Sequence, residues 1–255
     1  MVRCLADKLG DCQVYLHDCV TEPLEAERFP AVVKLTEKIF SQYPRHIFVA
    51  PCGVVVRAIA PMIQHKLTDP AVVVIDVGGR YAVSLLSGHE GGANQLALEA
   101  ANAIGADPVI STTTEAVKTL IVGVGCRRGA KAENIVGAIR EALAKAGACV
   151  EDVRYLASAY LKADEEGLLQ AGRELGLSLR FLSADEILST TKHFGRSQWV
   201  ADRVKLPAVA EPSALLAGRR TKLILKKTII NGVTVAIARE SFLLSASLGF
   251  RINFW

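Results

Sequence analysis

One segment combines the residue types that anion binding and hydrolysis require: Leu85-Leu86-Ser87-Gly88-His89-Glu90-Gly91-Gly92-Ala93-Asn94. It leaves an apolar run that reads as a strand, turns through glycines and enters an alanine-rich run that reads as a helix. Such a turn aims unpaired N–H groups and the positive end of a helix at one point, which suits a carboxylate or phosphate. Gly88, Gly91 and Gly92 let a ligand approach the backbone, and His89 contributes the side-chain type that titrates nearest neutrality. The competing reading is a plain glycine turn with Ser87 as a helix cap and His89 on the surface, and spacing alone leaves the two even. Alanine at position 93 excludes the H-E-x-x-H zinc motif, and the segment contains no G-x-S-x-G nucleophile elbow.

A second segment, Gly123-Val124-Gly125-Cys126-Arg127-Arg128-Gly129, also joins a strand-like run to a helix-like one. Its G-x-G-x-x-x-G spacing is one residue longer than the dinucleotide fingerprint, and no acidic residue closes a strand about 20 residues later. Asp152 comes near but precedes its strand, so nucleotide binding ranks last. Arg127 and Arg128 at a helix start favour an anion, with a solvated turn as the equal alternative. Cys52-Gly53 opens a third such turn, with Arg57 one helical turn on, and reads first as a capped helix start. Ser189-Thr190-Thr191-Lys192 fits S-x-x-K without its S-D-N companion. Lys162, Asp164 and Glu165 read as a solvated first turn, where acids complement the helix dipole, and Glu211 reads the same way.

These segments need a scaffold that alternates strands with helices, and the chain supplies one. Periodicity predicts helices over 2–9, 30–43, 54–63 and 90–104, with strands over 13–17, 45–50, 71–76, 81–86 and 108–111. The strands either side of Val77-Gly78-Gly79 form a hairpin. The threonine-rich stretch 111–115 interrupts the pattern, which then restarts. Strands are predicted over 120–124, 153–157 and 180–182, helices over 130–146, 165–175, 184–188 and 211–217, and a loop over 193–206. Strands 223–230 and 233–238 flank Asn231-Gly232, the strongest short-range hairpin signal. The expected class is α/β: two α/β domains, each a mixed or mostly parallel sheet flanked by helices. The expected domains are 1–117 and 118–239, with 240–255 an atypical tail. A βαβ unit normally opens on a strand and this chain opens on a helix, so the first domain is expected to lack its opening strand.

Composition narrows the function classes. Of 255 residues, 51% are hydrophobic and 22% charged, which excludes wholesale disorder. No apolar run approaches the roughly 18 residues of a membrane span, and the start lacks a signal-peptide core, so a cytoplasmic globular protein is expected. Thirty Lys+Arg against 26 Asp+Glu give a net charge of +4. Only Arg219, Arg220, Lys222, Lys226 and Lys227 cluster, and the nearest aromatic is Phe242, so neither nucleic acid nor a membrane is an expected partner. A small polyanion fits the mild excess better. The six cysteines form no C-x-x-C pair and match no zinc spacing, so no protein-bound metal is expected.

Taken together, the segments resemble the cobalt-precorrin-5A hydrolase family of anaerobic cobalamin biosynthesis. The N-terminal resemblance runs through Gly53-Val54-Val55-Val56-Arg57-Ala58-Ile59-Ala60-Pro61, Lys66-Leu67-Thr68-Asp69-Pro70-Ala71-Val72-Val73-Val74 and residues 87–94. The C-terminal one runs through 122–130, 156–168, 181–188 and 233–239. The resemblance implies two α/β domains and opening of the ring-A δ-lactone of a cobalt-containing, ring-contracted tetrapyrrole, with acetaldehyde released and cobalt-precorrin-5B formed. Cobalt would arrive with this substrate, and no separate cofactor is implied. The C-terminal part is also similar to a stand-alone protein of the aerobic route, which leaves a non-catalytic corrinoid carrier as the alternative. The resemblance does not itself assign catalytic residues. The residue chemistry nominates His89 and Ser87 as catalytic, and Arg57, Gly88, Gly91, Gly92, Asn94, Gly125, Arg127, Arg128 and Gly129 as grips for the carboxylates of a corrinoid intermediate. A homodimer is left open. Three departures from the family pattern stand out: a short connection between domains, Cys52 where relatives often carry threonine, and the stretch 240–255.

Overall fold

Ala71–Ile75 is buried at every position, the mark of a strand covered on both faces. In the computed structural model, which describes residues 1–195 and 205–241, this strand is central to the first of two units, Met1–Ala116 and Val117–Trp255. Parts of the loop expected at 193–206 and of the tail expected at 240–255 lie outside the described residues.

In the first unit, β1 (Tyr15–His17) and β2 (Glu27–Phe29) form a separate parallel pair. The main sheet holds β3 (Arg45–Val49), β4 (Ala71–Ile75), β5 (Tyr81–Leu86) and β6 (Asp107–Val109) in that order. β3 runs parallel to β4, β5 antiparallel to β4, and β6 parallel to β5. Side chains alternate faces along β4. Ala71, Val73 and Ile75 pack with α1 (Val2–Leu9) and α4 (Ala93–Ile104). Val72 and Val74 meet Phe40, which follows α2 (Val32–Ile39), and Val55 and Ile59 of α3 (Cys52–Ile59). A single turn of helix, α5 (Thr113–Ala116), follows β6.

Two expectations change here. Strand β2 carried no sequence signal, because three residues between charged and proline-bearing segments show no usable alternation. Helix α4 starts at Ala93, not at position 90, because Gly92 at φ 84° puts the backbone in the left-handed region.

A buried histidine gives this unit a pH dependence. His46 is buried, its ring stacks on Phe40 at 5.6 Å, and Nε2 donates to the Phe40 carbonyl at 3.0 Å. Burial holds its pKa below the ordinary histidine value. Below about pH 6.5 the unfolded chain therefore binds a proton that the folded chain refuses, and stability falls as pH drops through that window. His46→Phe should flatten the fall in urea midpoint between pH 7.5 and pH 5. An equally steep fall in the variant would assign the acid sensitivity elsewhere.

The second unit is a five-stranded sheet in the order β10 (Thr221–Ile230), β11 (Val233–Glu240), β7 (Leu120–Gly125), β8 (Val153–Ala159), β9 (Leu179–Leu182). β7, β8 and β9 are parallel, and β11 runs antiparallel to both β7 and β10. Leu143, Ile139 and Ile135 of α6 (Ala132–Lys145) and Leu168 of α7 (Glu166–Leu175) share a core with Val122, Val124, Leu156 and Val235. α8 (Ala184–Ser189) places Ile187 against Leu182. α9 (Ala210–Leu216) lies so close to β7 that Gly123 meets the backbone of Ala210 and Ala214.

Glu211, expected on a solvated first turn, is only 4% exposed. Its carboxylate accepts the Gly195 N–H at 2.6 Å and the Lys227 N–H at 2.8 Å. Lys227 falls where β10 slips register against β11, and Glu211 takes up the N–H that the irregular ladder releases.

Candidate functional site

Strand register decides which turns share an end of a sheet. Leu86 lies opposite Val72, so residues 87–92 emerge where β4 begins, and β6 ends on that side too. α3 opens beyond Val49, which pairs with Ile75 at the other end. The turn at Cys52-Gly53 therefore opens on the opposite end of the sheet from Ser87. Arg57 Nη1 donates to the Gly53 carbonyl at 3.0 Å, drawing the guanidinium back towards the first turn of α3. The structure does not gather Arg57 with the Ser87 turn.

That turn is built by its own backbone. The Ser87 carbonyl accepts the N–H groups of Gly91 and Ala93, each at 3.1 Å, and the Gly88 carbonyl accepts Asn94 N–H at 2.9 Å. The N–H groups of Gly88, His89 and Gly92 find no backbone acceptor among the described residues. Asn94 is a brace: Oδ1 accepts Ser84 Oγ–H at 2.8 Å, and Nδ2 donates to Thr112 Oγ1 at 2.9 Å. A Cβ at Gly88 would stand 2.8 Å from Asn94 Oδ1 and 2.8 Å from the Thr112 methyl group. Sequence reasoning missed Ser84 and Thr112; the only signal was the threonine-rich run after β6.

His89 and Glu90 are exposed. Glu90 pairs with Lys66 at 3.0 Å, and that bond holds its carboxyl below the usual range. Ser87 is 8% exposed at φ 54°, and its Oγ has no hydrogen-bond partner. A non-glycine residue in that region costs about 1–2 kcal/mol, and an unsatisfied buried hydroxyl roughly 1–3 kcal/mol.

In the second unit, Gly125 ends β7 and Gly129, at φ 76°, precedes α6. The structure revises the reading of the acids that face this turn. Lys162 and Glu165 are 8% and 4% exposed, not solvated. Glu165 Oε1 accepts the Gly129 N–H at 2.8 Å, while Oε2 lies 3.4 Å from Lys162 Nζ. Burial pushes the Cys126 thiol pKa up, with the Lys162 charge opposing. Asp164 is exposed as expected, and it grips Arg128 through two bonds of 2.9 and 3.2 Å. That bond holds the Asp164 carboxyl low and the Arg128 pKa high; an exposed, solvent-screened pair of this kind adds little to stability. Arg127 is exposed. Since a buried carboxylate occupies the Gly129 amide, a phosphate there would meet like charge, which disfavours nucleotide binding.

Among the described residues no three His, Cys, Asp or Glu side chains converge as a metal site. No helix among them is long and apolar enough to cross a membrane.

Two α/β units, each turning through glycines into a helix at the carboxyl end of a strand, define an α/β protein of doubled design. The chain belongs to the cobalamin synthesis G family: residues 34–115 match Cobalamin synthesis G N-terminal, and residues 120–238 match Cobalamin synthesis G C-terminus. A Priestia megaterium protein named cobalt-precorrin-5A hydrolase is 26% identical over 306 aligned positions, covering 82% of each chain. One of the same name from Salmonella typhimurium is 51% identical over 76 residues, 30% of this chain and 22% of that one. Protein CobE of Sinorhizobium sp is 32% identical over 128 residues, 49% of this chain and 83% of its own length.

Proposed function

We propose that the chain is a cobalt-precorrin-5A hydrolase that opens the ring-A δ-lactone and releases acetaldehyde to leave cobalt-precorrin-5B. Family membership and the names of the relatives support the overall reaction. The observation that carries the chemistry is the 87–92 turn, where N–H groups without backbone acceptors flank the exposed imidazole of His89.

Water adds to the lactone carbonyl, and the N–H groups of Gly88 and His89 receive the oxyanion. The imidazole of His89 takes the proton from water and returns it to the departing alkoxide, so the ring opens to a carboxylic acid and an alcohol. The alcohol then gives up its O–H proton as its carbon–carbon bond to the macrocycle breaks; the bonding pair stays on the macrocycle, which takes up a proton, and acetaldehyde departs. Cobalt remains in the macrocycle throughout as part of the substrate. In the second unit Arg127, exposed in the turn before α6, offers charge to peripheral carboxylates of the same class of ligand, while Arg128 would have to exchange Asp164 for one.

Anaerobic incubation with the lactone intermediate, assayed for acetaldehyde and for product mass, tests the proposal. One acetaldehyde per macrocycle is expected. Gain of one water without acetaldehyde would limit the activity to lactone opening, and an unchanged substrate would overturn the hydrolase reading.

A further inference from the structure

Ser87 contradicts every local structural preference at its position. Its φ of 54° favours glycine, its side chain is more than nine-tenths buried, and its hydroxyl bonds nothing. A glycine would relieve the backbone and remove the orphaned hydroxyl in one step. Ser87 also anchors the start of α4, since its carbonyl accepts the Ala93 N–H. Gly91 lies against it: a Cβ there would come within 2.5 Å of Ser87 Cβ. The side chain therefore packs against the backbone of the same turn whose N–H groups at Gly88, His89 and Gly92 have no backbone acceptor among the described residues.

We infer that the Ser87 hydroxyl is a ligand-directed donor that joins the N–H groups of Gly88 and His89 in binding an oxyanion at the α4 amino terminus. The class of ligand is a tetrahedral or carboxylate oxyanion, and for the lactone it is the anion formed as water adds. In this last particular the inference rests on the proposed function. The donor role itself does not, and inorganic phosphate, a tetrahedral oxyanion, probes it separately.

The full chain is compared with its Ser87→Gly and Ser87→Ala variants. Without ligand, Ser87→Gly is expected to melt no lower than the parent. Melting several degrees lower in both variants would make Ser87 a structural residue and overturn the inference. Phosphate is expected to raise the melting temperature of the parent, with an apparent affinity about 10-fold weaker in both variants. An equal response in all three proteins, or none in the parent, overturns it. With the lactone substrate, Ser87→Gly should lose about 100-fold in kcat, with KM within about twofold, as expected for a donor engaged only in the transition state. A parent that binds phosphate through Ser87 but leaves the lactone unchanged refutes the proposed function and sustains the inference.

Discussion

Gly123→Ala is expected to lower the stability of the second unit by about 3 kcal/mol or more, the upper range for overpacking a core. A Cβ at this position meets the Ala210 carbonyl oxygen and lies 2.8 Å from the Ala214 nitrogen. Both atoms belong to the backbone of α9, so no flexible side chain can swing aside. α9 contacts β7, β8, β10 and β11, and displacing it opens one whole face of the sheet. Urea unfolding of the full chain should show a lower midpoint with an unchanged slope. Gly125→Ala is the control two residues on: its nearest neighbour is the Val209 Cβ at 3.5 Å, an ordinary contact, and its effect should stay below about 1 kcal/mol. Equal losses in the two variants would refute the packing argument. The first glycine of the G-x-G-x-x-x-G segment thus serves the approach of a helix, not of a ligand.

His89→Ala is expected to lower lactone turnover by about 100- to 10,000-fold, the usual contribution of a positioned general base. The imidazole is exposed, so melting temperature should stay within about a degree of the parent, as for other surface changes. Binding of the lactone should weaken little, because the turn offers backbone N–H groups that the substitution leaves in place. Binding retained with hydrolysis lost supports the base role. Unchanged turnover sinks it and returns His89 to an ordinary surface residue.

The alternation of strands and helices was legible because each element carries its own signal. The β-branched run Ala71–Ile75 announces a buried strand, and Asn231-Gly232 sits between two apolar runs that pair antiparallel. Both glycine-rich turns lie where the sequence places them, between strand and helix. Strand β2 escaped because its pairing with β1 is its only strand character. Lys162, Glu165 and Glu211 were misread for a related reason. A charged side chain at a helix start looks solvated in sequence, whereas here Glu165 and Glu211 are buried and accept backbone N–H groups from distant segments, and Lys162 is buried beside Glu165.

The sequence by itself determined the composition of the candidate site: a histidine, a serine and flexible backbone between β5 and α4. These are properties of neighbouring residues and survive any arrangement of the rest. Only the tertiary structure decided which groups meet. Antiparallel pairing of β4 with β5 sends the Cys52 and Ser87 turns to opposite ends of one sheet. Packing then left the Ser87 hydroxyl orphaned, gave the Gly129 amide to Glu165, and closed Gly123 against α9. Each of these outcomes depends on register and packing between segments far apart in the chain, and local periodicity records neither.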